Sequence, residues 1–407
     1  MTHAASPPAW PCSKVSAPRL AAAGFAPQRI NVQLRTLHPL VVARLFVWRP
    51  SARQLETPGN AIIVEHQRSD VDGGVVQEVA LGHGSFESPN FLASPFHRVY
   101  SGEPWLRRRI AIDGPFEFPI LRDLAAAGAT DYLLLALQLS GRGAGAVSIT
   151  TDLDGGFSDD QVALLVGLGD ALSCAFDVQL AHHVSRTLLS TYVGPSTGER
   201  VLAGQIRSGD VERIEAAIWF SDLRGFTALS TSVEPRVLVA WLNAYFDVLG
   251  QAIGAHGGEI LKFIGDAVLA VFPVGGDGAT GATQACQTAW QAALQAHAGL
   301  AALNGARLDQ GLPALLHGIG LHLGEVAYGN IGTSTRLDFT VIGDAVNLAS
   351  RLEGLCGRLG RRTIASERFA DHVGGLVALG TFELKGVGPA VAYGEAEVSE
   401  GGGAHPG

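Results

Sequence analysis

The sequence predicts an α+β protein with two domains, each built around a β-sheet, joined by a long helix. Three observations predict this class. The chain has 407 residues, more than one domain of ordinary size contains. Short apolar or β-branched runs bounded by Gly, Pro or Asp occur in both halves and are typical of strands. Between them, apolar residues recur at steps of three or four, which is the period of a helix.

The first domain is predicted to span residues 29–159. The segment before it, residues 1–28, has five prolines among Ala and Ser and is predicted to be disordered. Strand-like runs within the domain are 40–47, 61–65, 132–139 and 144–150. The Gly-Arg-Gly sequence at 141–143 lies between the last two runs and indicates a hairpin turn.

A helix is predicted to begin after Ser158, because Ser158 and Gln161 have the spacing of a capping box. One apolar stripe then follows, formed by Leu165, Leu168, Leu172, Phe176, Leu180, Val184 and Leu188. Two interpretations stay open: a core helix of the first domain, or a helix that leaves the domain and pairs with its copy in a dimer. The length favours the second, so residues 160–211 are taken as a connecting helix and linker.

The second domain is predicted to span residues 212–397, followed by a flexible Gly-rich tail at 398–407. Its runs predict a strand at 214–220, a helix from Pro235 to the glycines at 257 and 258, and strands at 259–264 and 267–272. A helix at 284–303, strands at 318–324 and 337–342, and a helix at 344–355 follow. This β-α-β-β-α-β order is the ferredoxin-like arrangement.

Composition excludes several classes of protein. The net charge is −9 and no long basic run occurs, so a nucleic-acid partner is not expected. The four cysteines lie far apart without a CxxC pair, which indicates reduced thiols. No uncharged apolar stretch reaches the roughly 18 residues that span a bilayer, and no signal peptide is recognisable. We therefore expect a cytoplasmic protein that does not bind a membrane.

Two motifs of the second domain each place a carboxylate at the end of an apolar run, next to a glycine. F-S-D-L-R-G-F-T at 220–227 contains Asp222, and G-G-E-I-L-K-F-I-G-D at 257–266 ends at Asp266. In a ferredoxin-like sheet the two strands that carry them are neighbours, so the carboxylates can converge. Such an oxygen-rich pair suits Mg²⁺ or Mn²⁺ beside a phosphate substrate.

Two further motifs are F-T-V-I-G-D at 339–344 and V-N-L-A-S-R-L at 346–352. Together the four motifs resemble the catalytic domain of class III nucleotidyl cyclases, which convert a nucleoside triphosphate into a cyclic monophosphate. Thr340 resembles the Thr-type subgroup of that family. The resemblance implies two metal ions per site, held by Asp222 and Asp266. It also implies a homodimer in which this pair faces the remaining site residues of the other chain.

The resemblance places base recognition at Lys262 and Thr340. Lys262 can donate to the adenine N1 acceptor, whereas guanylate cyclases have Glu at this position, which accepts from guanine. Thr340 can accept from the adenine amino group, although a hydroxyl is less selective than a carboxylate. Both residues therefore favour ATP, Lys262 more strongly.

Three further residues are expected to contact the ribose and the phosphates. Asn347 and Arg351 have i, i+4 spacing and share one face of a helix. By resemblance, Asn347 orients the ribose and Arg351 stabilises charge on the α-phosphate, which suits a guanidinium fork. Lys385, in L-K-G-V-G, is expected at the β- and γ-phosphates. His317 and His322 have no third ligand at metal spacing and are interpreted as structural.

The first domain and the helix after it resemble a GAF sensor domain, with a PAS-like domain as the alternative. We therefore expect an adenylyl cyclase that forms 3′,5′-cyclic AMP and pyrophosphate from ATP. An unknown small molecule or other signal at the N-terminal domain would regulate it. Two alternatives stay open: a guanylyl or dual-specificity cyclase, and a catalytically silent nucleotide-binding signalling module.

Overall fold

The computed structural model describes residues 20, 23–50, 63–71, 74–140, 144–276 and 278–396. The chain divides into two compact units, Met1–Leu188 and Leu189–Gly407, and this division falls inside the predicted connecting segment. The predicted turn at 141–143 and the predicted tail at 398–407 lie outside the described residues, as does most of the segment predicted to be disordered.

The first unit is built on a seven-stranded antiparallel sheet in the order β3-β4-β2-β1-β7-β6-β5. The strands are β1 (Pro27–Arg35), β2 (Val41–Arg49), β3 (Ile63–Val71), β4 (Gly74–Gly82), β5 (Trp105–Arg109), β6 (Asp131–Leu137) and β7 (Gly145–Thr151). Sequence patterns identify four of these strands but miss β1, β4 and β5. The polar residues in β1 and the arginines in β5 hide the apolar alternation. β1 also begins inside the segment predicted to be disordered.

Helices cover both faces of this sheet. They are α1 (Pro89–Leu92), α2 (Pro95–Tyr100), α3 (Pro119–Ala126), α4 (Asp159–Gly167) and α5 (Gly169–Val193), with a 3₁₀ turn at Ser85–Glu87. Leu133 and Leu135 of β6 pack in the cluster formed with α4 and α5. Tyr132 and Leu134, which alternate with them, pack in the cluster formed with α2 and α3.

The capping box predicted at Ser158 is present. Ser158 Oγ accepts from Gln161 N (3.1 Å), and Gln161 Oε1 accepts from Ser158 N (2.8 Å). The single predicted helix is instead the pair α4 and α5, with a bend of 40°. Phe176 and Leu180 are buried against the first sheet. This part of the stripe is therefore in the core of the first unit, while the pairing of the helix with its copy stays a prediction.

The second unit is built on an eight-stranded sheet in the order β14-β15-β13-β11-β8-β10-β9, with β12 paired to β11. Its strands are β8 (Val211–Leu223), β9 (Glu259–Ile264), β10 (Ala267–Pro273), β11 (His317–Gly332), β12 (Leu337–Ile342), β13 (Thr363–Ser366), β14 (Leu376–Leu384) and β15 (Gly388–Glu395). β8 lies at the centre and pairs antiparallel with both β10 and β11.

The helices of the second unit are α6 (Pro195–Leu202), α7 (Phe226–Ser232), α8 (Pro235–Ala255), α9 (Gly278–Asp309), α10 (Asp344–Arg358) and α11 (Glu367–Ala370). Trp219 of β8 is buried in the cluster formed with α8 and α9. Its neighbour Ile218 is buried in the cluster that contains Ala345 and Ala349 of α10. The predicted order β8-α8-β9-β10-α9-β11 is confirmed, although α9 and β11 are longer than predicted.

Within the described part of the chain, α8 is long and apolar enough to cross a membrane by length and composition. A second candidate is added if α4 and α5 are taken as one bent span. Tyr245, Leu249 and Ile253 of α8 are buried in the core of the second unit. These apolar residues of α8 pack in the core of the second unit.

Candidate active site

Asp222 and Asp266 lie together at one end of the central strands of the second sheet. Ser221 of β8 is opposite Val268 of β10, so the end of β8 meets the turn that precedes β10. Gly265 has φ +67° in that turn, a conformation that glycine adopts without strain. The two carboxyl groups lie close enough that Asp266 raises the pKa of Asp222. The two side chains therefore lie close enough to influence each other, and their role as metal ligands stays a prediction.

The pair is electrostatically unfavourable without a cation. Burial raises the pKa of Asp222 to about 7, and the nearby carboxyl of Asp266 acts in the same direction. Leu223 N donates to Asp222 Oδ1 (3.1 Å), which partly opposes this shift. A positive charge between the two carboxylates would remove their repulsion.

This donor set fits a divalent ion that is shared with a substrate. Among the described residues, no group of three or more His, Cys, Asp or Glu side chains has metal-binding geometry. Mg²⁺ typically uses one or two protein carboxylates and completes its shell with water and substrate phosphates. Asp222 and Asp266 therefore fit Mg²⁺ or Mn²⁺ beside a triphosphate.

A third carboxylate, Glu353 of α10, lies near this pair and was not predicted. Burial raises its pKa to about 7, the charge of Arg224 lowers it, and the charge of Asp266 raises it. Gly318 of β11 is opposite Asp222, and a Cβ there would clash with Glu353 Oε1. Glu353 depends on this glycine for its place. Glu353 was not selected from the sequence, because it lies just outside the 346–352 motif and no helical spacing relates it to Asp222 or Asp266.

The histidines predicted to be structural are buried and hydrogen-bonded. His317 Nε2 lies 2.7 Å from His297 Nδ1, and His317 Nδ1 lies 3.4 Å from Tyr245 OH. His322 Nδ1 lies 2.7 Å from Ser366 Oγ. Burial lowers the pKa of His317 to about 3 and that of His322 to about 4, so both rings are neutral at physiological pH. Their interpretation as structural residues is confirmed.

Lys262 lies on β9 and forms an ion pair with Asp338 of β12. Thr340 is two residues further along β12, so its side chain points to the same face as that of Asp338. The structure thus brings Lys262 to the strand that carries Thr340. From the sequence, only the purine was expected as a partner of Lys262, whereas the same chain also supplies the Asp338 carboxylate.

Asn347 and Arg351 are both exposed on α10. Arg351 Nε donates to the backbone oxygen of Lys385 (3.2 Å), which lies in the turn between β14 and β15. Lys385 is also exposed, and Gly386 in this turn has φ +79°. The structure therefore brings Arg351 and Lys385 together, with their charged groups open to solvent.

The predicted site residues form separate groups in one chain. The first is the Asp222–Asp266 pair. Lys262 and Thr340 lie on or against β12, and Arg351 contacts the turn that holds Lys385. Within the ranges that the structure describes, no hydrogen bond or ion pair joins the Asp pair to any residue of the other groups.

Residues 211–370 match the family described as the Adenylate and Guanylate cyclase catalytic domain. This segment is a cyclase catalytic domain. The cyclase domain contains six of the seven predicted site residues, and Lys385 lies beyond the matched range. The predicted family and the α+β fold of this domain are thereby confirmed.

Several known cyclases are similar to the cyclase domain. An adenylate cyclase of Anabaena cylindrica is 40% identical over 166 residues, which are 40% of this chain and 31% of that protein. Adenylate cyclase 1 of Rhizobium meliloti (strain 1021) is 34% identical over 177 residues, 43% of this chain and 26% of that protein. The crystal structure of the adenylyl cyclase CyaB from P. aeruginosa is 29% identical and covers 47% of this chain and 98% of that one, with a TM-score of 0.42.

The similarity has a defined extent. The chain spans less than a third of the length of these two curated relatives. The first unit lies outside the family match, so its resemblance to a GAF domain stays a prediction. The relatives support the prediction of an adenylate cyclase enzyme for the cyclase domain.

Proposed function

We propose that the chain is an adenylyl cyclase that converts ATP into 3′,5′-cyclic AMP and pyrophosphate. The observation that carries this proposal is the proximity of the Asp222 and Asp266 carboxyl groups, which raises the pKa of Asp222, at the end of two paired strands. Such a pair is costly to the fold unless a cation is bound there. The names of the relatives that are 40% and 34% identical support the reaction.

The reaction joins the ribose 3′-oxygen to the α-phosphorus, releases pyrophosphate from the same phosphorus, and releases the 3′-hydroxyl proton to water. Two bound Mg²⁺ or Mn²⁺ ions would neutralise phosphate charge and make the 3′-hydroxyl more acidic. Asp222 and Asp266 would hold them. Arg351 would donate to the α-phosphate oxygens as negative charge grows there. Lys385, whose backbone Arg351 contacts, would bind the β- and γ-phosphates.

Base choice is assigned to Lys262 and Thr340. The ammonium of Lys262 donates to adenine N1, while Asp338 holds the lysine against β12. Guanine presents an N–H at the same position, so a lysine there faces a donor instead of an acceptor. This mismatch is why we propose ATP over GTP. A guanylyl or dual-specificity cyclase and a silent nucleotide-binding module are the alternatives that the assay below must exclude.

We further propose a homodimer with shared active sites. The separation of the Asp pair from the other site residues supports this arrangement. Phe263 and Ile264, which adjoin the Asp266 turn, are 51% and 47% exposed, so the surface beside the pair is apolar. Large exposed apolar residues beside a site are typical of an interaction surface. In each site, the Asp pair of one subunit would face Lys262, Thr340 and the phosphate-binding residues of its partner.

Regulation by the N-terminal unit and a cytoplasmic location are also proposals. α5 begins on the first sheet and ends in the second unit, so it is a continuous covalent link that could carry a signal. Cys174, Cys286 and Cys356 are free, and Cys12 lies outside the described residues. Free thiols agree with a reducing compartment.

The decisive experiment measures cyclic AMP and cyclic GMP formed by the full chain from ATP and from GTP, with Mg²⁺ and separately with Mn²⁺. Asp266→Asn and Asp247→Asn serve as the inactive variant and its matched control, since Asp247 is exposed on α8. Cyclic AMP from ATP, lost only in Asp266→Asn, supports the proposal. Faster cyclic GMP formation favours the guanylyl alternative, and no product with either metal favours the silent module.

A further inference from the structure

The first unit contains a cavity of about 390 Å³ on one face of its sheet. Its floor is formed by β1, β2 and β4, and its opposite wall by the segment from the 3₁₀ turn at Ser85–Glu87 through α2. All of its lining residues belong to the first unit. The volume lies within the range of small-molecule sites in proteins.

The floor of this cavity is polar, although it is buried. Asn31 and Gln33 of β1 and Gln77 of β4 are 5%, 5% and 2% exposed. Asn31 Oδ1 has no hydrogen-bond partner, and neither does Ser85 Oγ on the opposite wall. Both side chains line the cavity. A buried polar atom without a partner destabilises a fold, so these atoms need a partner that the chain itself does not supply.

The cavity also separates two apolar clusters on the same face. Leu45, Val47 and Val79 belong to one cluster. Phe96 and Tyr132 belong to the other. All five line the cavity. The cavity thus offers apolar side walls on both sides of a strip of buried amides, which is the usual composition of a site that binds and orients a small molecule.

An aromatic wall faces the amide floor. The rings of Phe86 and Phe91 line the cavity and meet edge to face, with centroids 4.7 Å apart. The guanidinium of Arg35 lies 4.8 Å from the Phe86 ring centroid. These contacts restrict the Phe86 ring. A flat aromatic ligand would fit against this wall, where it gains both burial and ring contacts.

We propose that this cavity binds a small aromatic molecule that carries an N–H donor. The ring lies against Phe86 and Phe91, and the N–H donates to Asn31 Oδ1. This site is separate from the cyclase active site, and the proposal concerns binding only. It therefore does not depend on the proposed adenylyl cyclase activity.

The test compares indole with 1-methylindole, in which a methyl group replaces the N–H. Binding to the full chain is followed by ligand-observed saturation-transfer NMR and by the side-chain amide resonances of Asn31 and Gln33. We expect 1-methylindole to bind about tenfold or more weakly than indole, because it leaves Asn31 Oδ1 without a donor. The Asn31→Leu variant should bind both compounds with similar affinity.

Gln138→Leu is the matched control, because Gln138 is exposed in the same unit and lies outside the cavity lining. This variant should keep the preference for indole. Thermal unfolding checks the fold of Asn31→Leu, which should be at least as stable as the wild type because it removes an unpartnered buried amide oxygen. Equal binding of the two compounds to the wild type, no binding of indole at millimolar concentration, or a preference that persists in Asn31→Leu would each overturn the proposal.

Discussion

Replacing Asp222 with Asn should stabilise the second unit in the absence of metal while it abolishes activity. Burial, together with the nearby carboxyl of Asp266, raises the pKa of Asp222 from 3.8 to about 7. That difference is equivalent to about 4 kcal/mol when the group is fully ionised. Solvent screening at a partly exposed carboxylate reduces the effect to about 2 kcal/mol.

The sign of the effect depends on pH. Because the pKa of Asp222 is higher in the folded state than in the unfolded state, wild-type stability falls as pH rises from about 4 towards 7. Asn carries no charge at any of these pH values. The variant should therefore be more stable than the wild type at pH 8, by about 4–8 °C in Tm for a unit of this size. The difference should be small near pH 4.

The assay is thermal unfolding in EDTA at both pH values, repeated at pH 8 with Mn²⁺. Mn²⁺ should raise the Tm of the wild type and leave that of Asp222→Asn nearly unchanged, since a ligand of the folded state stabilises it. Asp247→Asn is the control for the loss of an exposed carboxylate. A variant that is less stable than the wild type in EDTA at pH 8, or one that Mn²⁺ stabilises as much as the wild type, would refute the reasoning.

Three further predictions test other parts of the molecule. Mixing inactive Asp222→Ala with inactive Arg351→Ala should restore up to about a quarter of the wild-type activity, because half of the dimers are mixed and each of these has one intact site. If the subunits exchange and no activity returns, the shared site is excluded. Lys262→Glu with Thr340→Cys should lower the ATP-to-GTP ratio of kcat/KM by roughly 10²–10⁴, and an unchanged ratio would remove the assignment of base recognition. The free energy of unfolding should fall as pH drops from 6.5 towards 3, because the folded His317 has a pKa of about 3 and the unfolded chain takes up this proton at higher pH. His317→Gln should reduce this pH dependence in acid unfolding titrations. An equally steep fall in the free energy of unfolding of this variant would contradict the prediction.

Local sequence placed Asp222 and Asp266 near each other because the elements that carry them follow closely along the chain. Asp266 follows Gly265 at the tip of the β9–β10 hairpin, and a hairpin sets the register of its own strands. Asp222 ends the strand that pairs with β10. Once the β-α-β-β-α-β order was recognised, the meeting of these two carboxylates followed from neighbouring strands alone.

The partners of the site residues could not be predicted in the same way. Asp338 reaches Lys262 from 76 positions further along the chain, and only the pairing of β12 with β11 brings it there. Glu353 is near Asp266 because Gly318 leaves room for it between helix and sheet. Both contacts depend on how separate elements pack, which no local pattern records.

In the first unit, too, some features were predictable from local sequence and others depend on tertiary packing. Four of its strands and the capping box at Ser158 were evident from the sequence, because alternation and capping are local properties. The strand that occupies the centre of its sheet, β1, was not, because Asn31 and Gln33 interrupt the apolar pattern. Their place on the floor of a cavity exists only after β2 and β4 assemble beside β1 and the 85–100 segment closes over them. The sequence by itself thus determined the strands and helices whose apolar patterns are regular, and it placed Asp222 and Asp266 at the ends of neighbouring strands. Tertiary structure alone decided which polar side chains are buried together, because burial depends on contacts between segments that are far apart in the chain.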